Sequence, residues 1–93
     1  MTFTDHHVFR SHFFSIGREE TSGAGFLSFP VSNQRADYEE HYRISEALFQ
    51  QIAADPTAGL TFLQECRQRQ HDDLLFLKPG TDRGVPVLPP DAA

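Results

Sequence analysis

The stretch Ala36-Asp37-Tyr38-Glu39-Glu40-His41-Tyr42-Arg43-Ile44 carries the clearest two-residue alternation in the chain. Ala36, Tyr38, Glu40, Tyr42 and Ile44 fall on one side of an extended backbone, and Asp37, Glu39, His41 and Arg43 fall on the other. One side packs and the other meets water, which is the pattern of an antiparallel strand with a single covered face.

Two further strands are expected upstream. Phe9–Ile16 is apolar on both faces, which predicts burial on two sides or a local bulge. In Phe26–Ser32, Leu27, Phe29 and Val31 share a face, while Pro30 lacks a backbone donor and predicts an edge or bulged strand. Between them Gly17–Gly25 reads as a polar loop with three glycines. It lacks the Gly-Lys-Ser/Thr ending of a phosphate-binding loop.

Downstream the period changes. Ser45 is placed to cap a helix beginning at Glu46, with Leu48, Phe49, Ile52 and Ala53 as its buried stripe. Asp55-Pro56 closes that helix and opens another, striped by Leu60, Phe62, Leu63 and Cys66, with Arg67 and Arg69 in the last turn. Leu74–Leu77 is a compact apolar run expected as a last strand buried on both faces. Val85–Pro90 has three prolines in six residues and reads as an extended arm. The expected order is β-β-β-α-α-β, an α+β fold in which a small antiparallel sheet of about four strands carries a helical pair on one face.

With 93 residues the chain supports a single core, which buries roughly 60–65% of the unfolded surface. The expected organisation is one domain over 1–93, with 1–7 a mobile N-terminus and 85–93 a proline-rich extended tail. Nine Phe, two Tyr and no Trp predict a core built around phenylalanine rings. The lone Cys66 forms no internal disulfide, no apolar run reaches the ~18 residues of a membrane span, and the N-terminus lacks the regions of a signal peptide. These features predict a cytoplasmic protein.

Charge is the most informative compositional feature. Of the net −5, all of the imbalance lies between Asp37 and Asp73, where eight acids face three arginines; elsewhere acids and bases cancel. Such a segment repels phosphates and attracts basic partners, so no nucleic acid and no membrane are expected as partners.

No motif with metal or catalytic spacing is present, and no cofactor, metal or catalytic residue is assigned. Asp37, Glu39 and His41 stand two apart on one strand face, a spacing of about 6.5–7 Å that suits paired carboxylates or a metal with His as third ligand. A solvated strand face has the same appearance. His71-Asp72-Asp73 near Glu65 reads as polar punctuation at a helix end, and Asp5-His6-His7 with His12 as part of a terminus. Cys66 continues an apolar stripe and reads as core.

The expected function is therefore protein binding. A small acidic module would neutralise a basic partner, in the way of immunity proteins and antitoxins, which share its size and charge but no motif with it. The expected contact residues are Asp37, Glu39, Glu40, His41, Asp72 and Asp73 for charge, with Tyr38 and Tyr42 as anchors. A homodimer through the Pro30 strand or the last strand is compatible with this. The alternative is a small metal- or acid/base-dependent enzyme using Asp37, Glu39 and His41.

Overall fold

The computed structural model describes residues 1–90. The chain is α+β, with strands β1 (Phe3–Phe9), β2 (Phe14–Glu19), β3 (Gly25–Ser32) and β4 (Asp37–Ile44) followed by helices α1 (Glu46–Ala54) and α2 (Leu60–Arg67). A two-residue strand, β5 (Val85–Pro86), comes last. β1 to β4 form an antiparallel meander in sequence order, and β5 pairs with β3.

The alternation holds from Asp37 to Ile44; Ala36, expected on the packed side, is exposed and precedes the strand. Glu40, Tyr42 and Ile44 are buried while Asp37, Glu39 and Arg43 are exposed. The buried side joins Phe14, Ile16, Leu27, Phe29 and Val31 to form the inner face of the sheet. Phe49 and Ile52 of α1 and Leu63 and Cys66 of α2 close that core from the other side. Local capping sets both helices in place. Ser45 accepts the Leu48 N–H at 3.1 Å, and Asp55 accepts the N–H and hydroxyl of Thr57 at 3.1 and 2.8 Å. Asp55 thereby opens a 3-10 turn, Pro56–Gly59, that leads into α2.

Several expectations are corrected. Phe9–Ile16 is not one strand: it contains the end of β1, a tight turn and the start of β2. Phe9 pairs with Phe14 across the hairpin, and their rings lie 4.8 Å apart, so both belong to neighbouring strands rather than to opposite faces of one. The turn needs Phe13 at φ 56°, a conformation that costs a non-glycine residue about 1–2 kcal/mol and leaves no compositional mark. Residues 3–7, assigned to a mobile end, are part of β1.

Pro30 lies in the central strand rather than an edge. β2 stops pairing at Ser15–Ser28 and β5 begins pairing at Val31–Pro86, so the missing N–H of Pro30 falls in the gap between them. Its carbonyl still accepts Val87 N–H at 3.0 Å. Because β3 is interior, a dimer through the Pro30 strand is withdrawn.

The tail does pair, through Val85 and Pro86, rather than running free; residues 91–93 of that expected segment lie outside the described residues. Leu74–Leu77 forms no strand. Asp72–Leu74 is a 3-10 turn, followed by a single bridge between Leu75 and Tyr42. The run divides between two faces: Leu74 and Leu75 pack on the inner core, while Phe76 meets Phe3 edge-on with centroids 5.3 Å apart.

That last contact exposes a second packing layer. The outer face of the sheet is not simply wet, because β1 curls over it. Phe3 stacks on His41 at 3.8 Å and meets Phe26 edge-on at 5.4 Å, while Arg43 lies 4.6 Å over the Phe76 ring. Gly17 makes the curl possible, since a β-carbon there would overlap the Thr4 carbonyl and stand 2.7 Å from the Phe26 ring.

The turn joining β2 to β3, in the stretch read as a polar loop, is organised by one buried carboxylate. Glu19 accepts the N–H of Thr21 at 2.9 Å, and the N–H and hydroxyl of Ser22 at 2.9 and 2.8 Å. These bonds lower its pKa to about 2. A depressed acid contributes stability that is complete above the unfolded value near 4.5 and is lost as pH falls towards about 2. Glu19→Gln is therefore expected to flatten the stability profile across that window. Denaturant midpoints measured at pH 2, 3, 4 and 6 check it, and an unchanged acid slope would contradict it.

Candidate functional site

Of the eight residues expected to contact a partner, four are engaged from the inner side of the sheet, three lie on its outer face and Asp73 is exposed in the turn after α2. Tyr38, Glu39, Glu40 and His41 meet along one cleft at the edge of β4. On the inner side Glu40, Tyr42, Tyr38 and Asp72 are all engaged by the segment leading into β5. Arg83 donates to Glu40 from Nε at 2.9 Å and Nη2 at 3.0 Å, and to Asp72 at 2.7 and 2.9 Å. The Tyr42 hydroxyl donates to Glu40 at 2.8 Å, and that of Tyr38 accepts Gly84 N–H at 2.8 Å. The two charges at the centre are almost dry, with the Glu40 side chain 8% exposed and Arg83 11%.

Tyr42 is fully buried, so its expected role as an anchor at the rim is corrected: its ring stacks on Phe29 at 5.5 Å inside the core. Burial, reinforced by the Glu40 carboxylate, drives the phenol pKa far upward. Glu40 and Asp72 are likewise spent on Arg83, and the Arg83 bonds hold Asp72 below the ordinary carboxylate range. Arg83 is the functional group that sequence reasoning missed. It lies in a stretch of turn-forming residues, 43 positions from Glu40, and no periodicity links the two.

On the outer side Asp37 and Glu39 are exposed, and neither makes a salt bridge among the described residues. Asp73 is exposed as well. His41 is half-buried between the rings of Phe3 and Phe26, at 3.8 and 4.8 Å. Desolvation there lowers its pKa, against the opposing pull of Asp5. Glu39 is moved the other way: partial burial and then the nearby charge of Asp5 raise it, and a 3.5 Å hydrogen bond from Ser28 only partly offsets this. Asp5 of β1 therefore belongs to the site. It had been read only as part of a terminus, because the curl that brings it over β4 was not visible.

Glu39 lines two concavities. One is a groove of about 390 Å³ lined by Val8, Arg10, Phe13 and Pro30. Val8 is 55% exposed, and Phe13 is held there in its left-handed conformation. The other is a cleft of about 330 Å³ between β4 and residues 77–83, to which His41, Lys78 and Asp82 also contribute. Here the His41 carbonyl accepts Phe76 N–H at 3.0 Å. Strand parity then directs the N–H and C=O of Glu39 and Asp37 to the same edge.

The remaining clusters do not converge. His71 pairs with Glu65 at 2.8 Å and stacks on Phe62 at 4.8 Å, away from Asp72. Cys66 lies in the core, where burial pushes its thiol up to about 12. Among the described residues no three His, Cys, Asp or Glu side chains are grouped to hold a metal ion. No helix of the described residues is long and apolar enough to cross a membrane.

What fold and site define together is a curled antiparallel sheet with two helices on its inner side and a partly apolar outer face that carries Asp5, Asp37 and Glu39 beside Arg43. No family model, curated protein or solved structure matches the chain, so the functional reading stands on this geometry.

Proposed function

We propose that the protein is a binding module whose outer sheet face receives a basic protein partner, in the way that a small immunity protein or antitoxin silences a toxin by covering it. The observation that carries this reading is the setting of Glu39. It is exposed, has no cation bonded to it among the described residues, and borders both concavities. The nearby charge of Asp5 opposes its ionisation, and Arg10 and Lys78, which line the two concavities, form no ion pair with it. A partner's Lys or Arg supplies the missing counter-charge. Val8, Phe13 and Pro30 supply the apolar contacts first assigned to Tyr38 and Tyr42.

The alternative, acid–base chemistry by Asp37, Glu39 and His41, has one observation on its side: Glu39 and His41 border the same cleft. It is the weaker reading because the His41 ring is packed between two phenylalanines rather than turned to a carboxylate.

Capture with tagged protein from lysate of the source cells, followed by mass spectrometry, tests the proposal. A basic partner is expected in stoichiometric amount at low salt. It is expected to be lost in moderate salt and with Asp37→Lys combined with Glu39→Lys. Glu39→Gln separates function from folding. A carboxyl raised in the folded state contributes its stability below the unfolded pKa and loses it as pH rises, so removing the charge leaves the melting temperature at pH 7 unchanged or higher. Capture that ignores all three substitutions would contradict the proposal.

A further inference from the structure

The helical side of the molecule holds a charge that the outer-face reading does not use. Arg67, in the last turn of α2, is 9% exposed. Its Nη2 donates to the His12 carbonyl at 2.8 Å, tying α2 to the turn between β1 and β2. Its Nε is buried and makes no hydrogen bond. No carboxylate pairs with it among the described residues, in a chain whose acids outnumber its bases by five. Every other buried or half-buried arginine among the described residues is answered: Arg83 by Glu40 and Asp72, Arg18 by Glu46 at 2.9 Å. A guanidinium removed from water without an anion is among the costlier arrangements in a protein interior.

The same side chain borders a pocket of about 290 Å³. Ser11, His12 and Gln64 place polar groups around it, while Leu60, Leu63 and Pro89 supply an apolar wall. We infer that this pocket is a binding site for a small carboxylic acid, with the carboxylate at the Arg67 guanidinium and a short aliphatic tail along Leu60 and Pro89.

Both halves of the assignment come from the lining. A planar guanidinium matches a carboxylate in charge and geometry, and Ser11 and Gln64 add neutral donors without a competing cation. The apolar wall favours an acid with a hydrocarbon tail over a bare inorganic anion, which would leave that wall wet. Burial lowers the Arg67 pKa with no acid to oppose the shift, and the Phe29 ring, 5.9 Å from the guanidinium carbon, answers the charge more weakly than a carboxylate would. The site is independent of the outer face, and its success or failure leaves the reading of Glu39 untouched.

The test is thermal unfolding and calorimetric titration of the full chain with hexanoate, acetate and inorganic phosphate at pH 7. Hexanoate, with eight heavy atoms, is expected to bind at about 1 mM and to raise the melting temperature in a saturable way. Acetate should bind more weakly and phosphate should give no shift. Arg67→Lys keeps the charge but loses the fork, and should bind hexanoate roughly tenfold more weakly. Arg67→Met should abolish the shift while melting, without ligand, at or above the wild-type temperature, because an unpaired buried charge has been removed.

Wild-type protein that does not respond to hexanoate overturns the inference, as does an equal response from Arg67→Lys. An equal response to phosphate overturns the carboxylate assignment. Asp91, outside the described residues, follows the pocket in sequence. If Asp91→Asn binds hexanoate where wild type does not, the chain's own acid fills the site and the inference of an external ligand fails.

Discussion

Arg83→Met is expected to destabilise the fold by about 3–5 kcal/mol, because it removes one partner from an ion pair held out of water. Glu40 would keep a charge in a side chain that is 8% exposed, and the Tyr42 hydroxyl would become its main remaining partner. Asp72 matters less, since its side chain is 40% exposed and water can replace the lost bonds. The loss also reaches the backbone. Arg83 adjoins Gly84, whose N–H is bonded to Tyr38 and whose carbonyl accepts from Arg69 at 3.1 Å. Releasing Arg83 therefore loosens the segment that delivers β5 to β3. In a domain of this size the penalty corresponds to a melting temperature lower by about 15 °C or more.

The double variant Glu40→Leu with Arg83→Met decides whether the cost is the orphaned charge or the lost contacts. Replacing both members by apolar groups is expected to recover a large part of the loss. Thermal unfolding followed by circular dichroism checks this. A double variant no more stable than Arg83→Met would show that the pair is not the source of the effect.

Gly17→Ala is expected to cost about 3 kcal/mol, at the upper end for adding a single methyl to a packed site. The added carbon has no free direction: it meets the Thr4 backbone carbonyl on one side and the Phe26 ring at 2.7 Å on the other. A flexible side chain can give way, but a carbonyl in a paired strand moves only with its strand, so β1 must lift. Once it does, Phe3 leaves His41 and Phe76. Two readouts follow. The urea midpoint falls, and the His41 pKa, lowered chiefly by burial, moves back towards its ordinary value in an NMR titration. An alanine variant with wild-type midpoint and unchanged His41 titration would contradict the described curl of β1.

Legibility in the sequence followed the range of the interactions. The alternation of β4, the caps at Ser45 and Asp55 and the stripe of each helix are local, and they stand as read. Pro30 misled because its rule concerns an unpaired donor. The gap between β2 and β5 that excuses it is made by chain segments far away in sequence. Phe9–Ile16 misled because a hairpin bent by a left-handed phenylalanine has the same apolar pattern as a doubly buried strand. The acidic segment was visible as composition, but its division was not. Which acids are spent and which are free depends on Arg83, whose partners are set by the path of residues 77–84. Asp5 entered the site only through the curl over Gly17.

The most direct test of the outer-face reading compares two charge reversals of equal size on opposite sides of the sheet. The captured partner would be titrated calorimetrically, at low and moderate salt, against wild type, Glu39→Lys and Glu65→Lys, the last lying on α2. The account predicts that Glu39→Lys weakens binding roughly 10- to 100-fold and reduces its salt dependence, while Glu65→Lys changes it by no more than about threefold. Equal losses for the two variants would mean that net charge alone governs association, and the assignment of the partner to the Glu39 face would be wrong.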